Sequence, residues 1–213
     1  AKKLKKINAY LNKHNANFIF VQDSESIAWL YNLRGKDLPH TPITFCLALI
    51  GKDKQNIFFE DKNIPNKLTK NFGKYASIHS MNKLSTVLSE NCHEKTKIIT
   101  DYNKLSLFKF NLLKKNTKII YNKSDILLKL RAIKNSTEIN FSKKAHILDA
   151  VSMCKFLYWF KNYSGNLSEL DVVEKINNLR SRNEGFICTS FPTIAGSGKN
   201  GAIIHYQPNQ ITN

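Results

Sequence analysis

A chain of 213 residues can hold one large domain or two small ones, and its 42% hydrophobic content excludes a disordered polypeptide. Lys and Arg number 33 against 16 Asp and Glu, a net charge of +17. The basic residues are scattered, Arg stands only at Arg34, Arg131, Arg180 and Arg182, and neither a zinc-finger spacing nor an RNA-binding aromatic motif is present. Lys is a poor reader of bases, so the charge is read as a solvated Lys-rich surface and no nucleic-acid partner is expected. No apolar run approaches the ~18 residues of a membrane span, so no membrane partner is expected either.

The first segment, Lys2 to His14, carries Leu4, Ile7, Tyr10 and Leu11 at helical spacing. Phe18 to Val21 reads as a short buried strand, and Asp23-Ser24 as the cap of a helix through Ile27, Ala28, Trp29 and Leu30. A polar loop, Arg34 to His40, leads into the apolar run Ile43 to Ile50. The turn Gly51 to Lys54 and a returning strand at Ile57 to Phe59 complete a hairpin. A short helix is expected after Pro65, then a strand near Ala76 to Ile78, a helix over Met81 to Glu90, a strand at Ile98-Ile99, a helix over Lys104 to Lys114 and a strand at Ile119-Ile120. Alternating strands and helices predict an α/β layer domain.

The pattern changes near residue 124. Asp125 caps a helix with Ile126, Leu127 and Leu130, and Asn135 to Glu138 is suited to a capping box at the head of a helix reaching about Phe160. Ser168 caps a further helix, Glu169 to about Arg182. Strands are expected over Phe186 to Ile194 and Ala202 to Tyr206, joined by the loop Gly196 to Gly201. The chain is therefore divided into an α/β domain, residues 1–124, and an incomplete second part, residues 125–213.

Cys46, Cys92, Cys154 and Cys188 form no CxxC pair, and the His residues offer no zinc-site spacing. Cys46 and Cys154 lie in apolar runs and read as buried thiols, which fits a reducing cytoplasm. Charges without an apolar core at the N-terminus give no secretory leader, and an initial Ala in place of Met suggests an internal or processed start.

Function is concentrated in FPTIAGSGKNGAIIHYQP, Phe191 to Pro208. Gly196, Gly198 and Gly201 permit tight turns. On the expected second strand His205 shares a face with Ile203. It reads either as a satisfied core histidine or as a donor held rigidly for a substrate carbonyl. The glycine spacing is not that of a nucleotide loop.

Three phrases in order carry a family resemblance. They are SIAWLYNLRGKDLPHTP (Ser26 to Pro42), KLRAIKNSTEINFSKKAHILDA (Lys129 to Ala150), and SFPTI followed by GKNGAIIHY (Ser190 to Ile194, Gly198 to Tyr206). Together they resemble the Xaa-Pro aminopeptidases, the aminopeptidase P group of the creatinase/prolidase superfamily. The resemblance implies a creatinase-type α/β domain followed by a truncated α+β pita-bread catalytic domain. It also implies removal of the first residue from peptides with proline at the second position, by a cytoplasmic homodimer holding two divalent ions, manganese being the expected metal. His205 matches the family histidine of the substrate pocket. The family's five metal ligands would lie downstream of it, so no metal ligand is assigned here and this stretch alone is expected to be inactive. Asp149, Asp171 and Glu174 lie upstream of the motif and are no substitutes. Arg34, Asp37 and His40 read as structural residues of their loop, and Phe191 and Ile194 as buried strand residues or pocket walls. Lys199 departs from the proline common at that position. The alternatives are a non-catalytic peptidase-like binder of the histone-chaperone type and a prolidase or creatinase relative.

Overall fold

The computed structural model describes residues 2–60, 72 and 76–211, and the short helix expected after Pro65 falls outside them. The chain forms two compact units, one comprising residues 1–37 and 43–133, the other residues 38–42 and 134–213.

The first unit is built on a six-stranded sheet: β1 (Phe18–Val21), β2 (Cys46–Gly51), β3 (Gln55–Phe59), β4 (Ser77–Ser80), β5 (Lys97–Thr100) and β6 (Ile119–Asn122). The order across the sheet is β4-β3-β2-β1-β5-β6. The hairpin β2–β3 pairs Cys46 with Phe59, and β1 pairs antiparallel with β2 on one side and parallel with β5 on the other.

The run that reads as continuously apolar is so because both sheet faces are covered. Cys46, Ala48 and Ile50 point into one core with Ile19, Val21, Ile57 and Ile99. Helices α1 (Lys2–Lys13) and α2 (Ser24–Tyr31) fill that core with Ile7, Leu11, Ile27 and Leu30. Leu47 and Leu49 point to the other face with Phe20, Phe58 and Ile98, covered by α3 (Leu84–Asn91) and α4 (Leu107–Asn116) through Leu84, Val87, Leu88 and Leu113. A short 3-10 turn, Met81–Lys83, precedes α3 where a single helix is expected.

Helix α5 (Ile126–Ala132), capped by Asp125, marks the pattern change near residue 124. It belongs to the first unit: Leu127 is fully buried among the α1 and α2 residues, and Arg131 pairs with Asp23 and Glu25 of the α2 entry.

Burial pushes the Cys46 thiol up to about 12, against the opposing hydrogen bond with Ser24 and with smaller additions from the Asp37 and Asp23 carboxylates; burial alone pushes Cys92 up to about 11. Thiolates are the reactive species, so both residues should resist alkylation in the native protein and react once it is denatured. Peptide mapping after brief iodoacetamide treatment measures this; fast native alkylation of Cys46 would contradict the packing. Cys154, expected to be buried, is exposed.

In the second unit α6 (Ser136–Asn162) begins with the expected capping box, in which Asn135 and Glu138 exchange hydrogen bonds. Helix α7 (Glu169–Ser181) begins with another, between Ser168 and Asp171. The helices meet at buried Ser152, whose hydroxyl donates to Leu148 O and Leu179 O and accepts from Asn183 Nδ2 at 2.9 Å. Beyond α7 the expected strands do not form. Residues 186–194 are irregular, Gly198–Ala202 is a 3-10 turn, and Tyr206 N–H donates to Ile203 O at 3.3 Å. A strand requires a neighbour for its backbone groups, and among the described residues the second unit contains no strand to supply one. Residues 197–206 make local turns. Phe191 and Ile194, expected to be buried strand residues or pocket walls, are exposed over the residues present. Among the described residues no helix is long and apolar enough to cross a membrane.

Candidate functional site

The NLRG phrase closes α2 and starts the hairpin. Asn32 ends the helix in the left-handed region, φ 59°, and Leu33 N–H returns to Ala28 O at 2.9 Å. A Cβ on Gly35 would lie 2.5 Å from Thr44 Cβ and 2.7 Å from Ile43 O, so only glycine allows this approach. Asp37 accepts from Thr44 Oγ1 at 2.8 Å and Phe45 N–H at 2.7 Å, which pins the start of the hairpin. These bonds agree with a structural role for the loop.

The same phrase continues into the second unit. His40, at φ 62°, places Nδ1 2.8 Å from Thr189 Oγ1 and 3.1 Å from Thr189 O. Thr189 lines a cleft of about 530 Å³ between α6, α7 and residues 183–191. Its walls include His146, Cys188 and Phe191, and across it Arg180 makes a bidentate pair with Asp149 at 2.6 and 3.2 Å. His205 is not one of the cleft-lining residues.

The Gly-rich segment is organised around Glu169, the first residue of α7. Its carboxylate accepts from Tyr206 hydroxyl at 2.5 Å, Ser197 N–H at 2.6 Å and Asn200 Nδ2 at 3.1 and 3.2 Å. These bonds, led by that of Tyr206, hold its carboxyl below the usual glutamate range. Asn200 also donates to Tyr206 hydroxyl at 2.9 Å. Glu169, Asn200 and Tyr206 are all buried. His205 is exposed and lies in a turn at φ 56°, not on a strand beside Ile203.

Sequence reasoning located the motif but missed Glu169. Its position after a capping serine gives it the appearance of an ordinary first-turn acid, and no local signal marks it as the anchor of a segment 28 residues away.

The acidic residues set aside from metal binding are engaged elsewhere. Asp149 pairs with Arg180, Asp171 closes the cap with Ser168, and Glu174 accepts from Asn178 Nδ2 at 3.4 Å. Among the described residues no group of three or more His, Cys, Asp or Glu side chains could hold a metal ion.

Comparison with known proteins adds the following. Residues 1–138 match the creatinase/prolidase N-terminal domain, and residues 140–213 match metallopeptidase family M24. The chain is 32% identical over 223 residues to Xaa-Pro aminopeptidase 1 of Dictyostelium discoideum, covering 99% of this chain and 34% of that protein. It is 28% identical over 244 residues to Aminopeptidase P2 of Arabidopsis thaliana, covering 98% and 34%. It thus spans about a third of the length of these curated relatives. Among solved structures, an X-prolyl aminopeptidase from Caenorhabditis elegans, described as a cytosolic enzyme with a di-nuclear active site, matches with a TM-score of 0.83 at 22% identity. That match covers 98% of this chain and 35% of that one. A prolidase from Thermococcus sibiricus matches with a TM-score of 0.69 at 18% identity, covering 97% and 56%. At these identities the structural likeness establishes the fold.

Proposed function

The chain belongs to the creatinase/prolidase N-terminal domain family, and we propose on this premise that it is part of a metal-dependent aminopeptidase removing the first residue from peptides with proline second. The observation that carries the proposal is the tandem of a creatinase-type N-terminal match and an M24 match over residues 1–138 and 140–213. The curated relatives that align over nearly the whole chain are Xaa-Pro aminopeptidases. The proposed enzyme uses two divalent ions, with manganese the expected metal, and the di-nuclear site of the C. elegans relative supports the pair. Its metal ligands are proposed to lie in the part of the relatives' length that this chain does not span.

His205 is proposed to bind and orient the substrate near the scissile carbonyl, where a ring N–H donor stabilises developing negative charge. Its exposed ring in a fixed turn supports that role. Cytoplasmic residence is proposed with support from the cytosolic C. elegans relative; a homodimer rests on the family resemblance alone. The test is metal-reconstituted hydrolysis by the complete polypeptide. Release of the first residue from an Xaa-Pro peptide, abolished by chelation and restored by manganese, is expected; no release with any divalent ion would refute the proposal.

A further inference from the structure

A glutamate at the first position of a helix ordinarily faces the helix dipole from solvent. Glu169 is only 8% exposed, and the donors that compensate its carboxylate come from one segment, Ser197 to Tyr206. A carboxylate withdrawn from water needs several donors, and losing them strands a buried charge. The segment is thereby fastened at its start by Ser197 N–H, in its middle by Asn200 and at its end by Tyr206.

Between these fastenings the backbone makes successive tight turns. Asn200 N–H donates to Ser197 O at 3.1 Å, Ile203 N–H to Asn200 O at 3.1 Å and Tyr206 N–H to Ile203 O at 3.3 Å. The last turn places His205 at its third position with φ 56°. A non-glycine residue is uncommon there, and its surroundings help to hold the backbone. The next residue, Tyr206, is the one whose hydroxyl donates to Glu169.

We propose that Glu169 is a positioning residue for His205, holding through Tyr206 and Asn200 the turn that presents the imidazole to substrate. The part concerning substrate rests on the aminopeptidase reading; the part concerning the turn does not. Glu169 touches no reacting atom and acts through the shape of the segment it anchors.

The test uses the complete polypeptide. Glu169→Ala is expected to lower kcat/KM for an Xaa-Pro peptide about tenfold when His205 is present. In a His205→Ala background it is expected to cause almost no further loss, because a positioning group has no effect on a ring that is absent. Glu169→Gln keeps an acceptor oxygen for Tyr206 and Asn200 but sets its amide NH2 against Ser197 N–H, so it should recover part of the activity lost in Glu169→Ala. Tyr206→Phe retains the ring and provides a milder probe should Glu169→Ala fold poorly; it should show the same dependence on His205. Equal losses in both backgrounds would overturn the proposal. A second arm needs no turnover: in selectively His-labelled protein, the His205 backbone signals should leave their left-handed values in Glu169→Ala. Signals that stay in place would overturn it as well. If the wild-type protein releases nothing from Xaa-Pro peptides, the aminopeptidase reading fails and the spectroscopic arm alone decides the role of Glu169.

Discussion

His205→Ala is expected to lower kcat/KM toward an Xaa-Pro peptide by about 10²–10³-fold, the usual loss when one preorganised donor to a developing oxyanion is removed. The expectation follows from placement. The ring is exposed, while its backbone is fixed by a turn whose next residue is tied to a buried carboxylate. The chemical loss should come without global unfolding, since the ring is exposed; Ala at φ 56° adds a local backbone cost that a denaturation midpoint measures. His205→Asn is the sharper control, since Asn tolerates the left-handed backbone and keeps a short donor. Steady-state kinetics separate the two ways the ring can act. Loss in kcat means donation in the transition state, and a rise in KM alone means ground-state binding. Unchanged kcat/KM in both variants would remove His205 from the site.

The second large effect is structural. Leu127→Ala is expected to destabilise the first unit by about 2–5 kcal/mol, the range for truncating a fully buried leucine. Leu127 is 0% exposed and packs in the core formed by Ile7, Leu11, Ile27 and Leu30. The helix carrying it cannot easily move to fill the gap. Asp125 caps it, and the Asp125 carboxylate also accepts from Ser26 Oγ at 3.1 Å and pairs with Lys104 at 3.5 Å. The chain has two tryptophans, of which Trp29 lies in the first unit and Trp159 in the second. In a Trp159→Phe background the urea transition of Trp29 fluorescence reports the first unit. A large drop in its midpoint is predicted; an unchanged midpoint would mean that α5 does not belong to that core.

The first unit was legible because its signals are local. The continuous apolar run Cys46 to Ile50 and the Asp23 and Asp125 caps each depend on residues within a few positions. The attachment of α5 to the first core depends on where Leu127 packs, which periodicity does not encode. The strands expected over residues 186–206 show the opposite limit. Apolar runs such as Phe186 to Ile194 and Ala202 to Tyr206 have strand character only with a neighbour to pair with; the first is irregular here, and the second lies in the turns tied to Glu169. In the candidate site, the phrase around His205 carries the family resemblance. It gave no sign of the anchor, because Glu169 is distant in sequence and resembles a routine helix-start acid.

The most direct test of the central claim is the ratio of first-residue release by the manganese-loaded complete polypeptide from two peptides that differ only in Pro or Ala at the second position. A strong preference for the proline peptide, greatly reduced in His205→Ala, is predicted. Equal turnover of the two peptides, or none of either with metal present, would contradict the account.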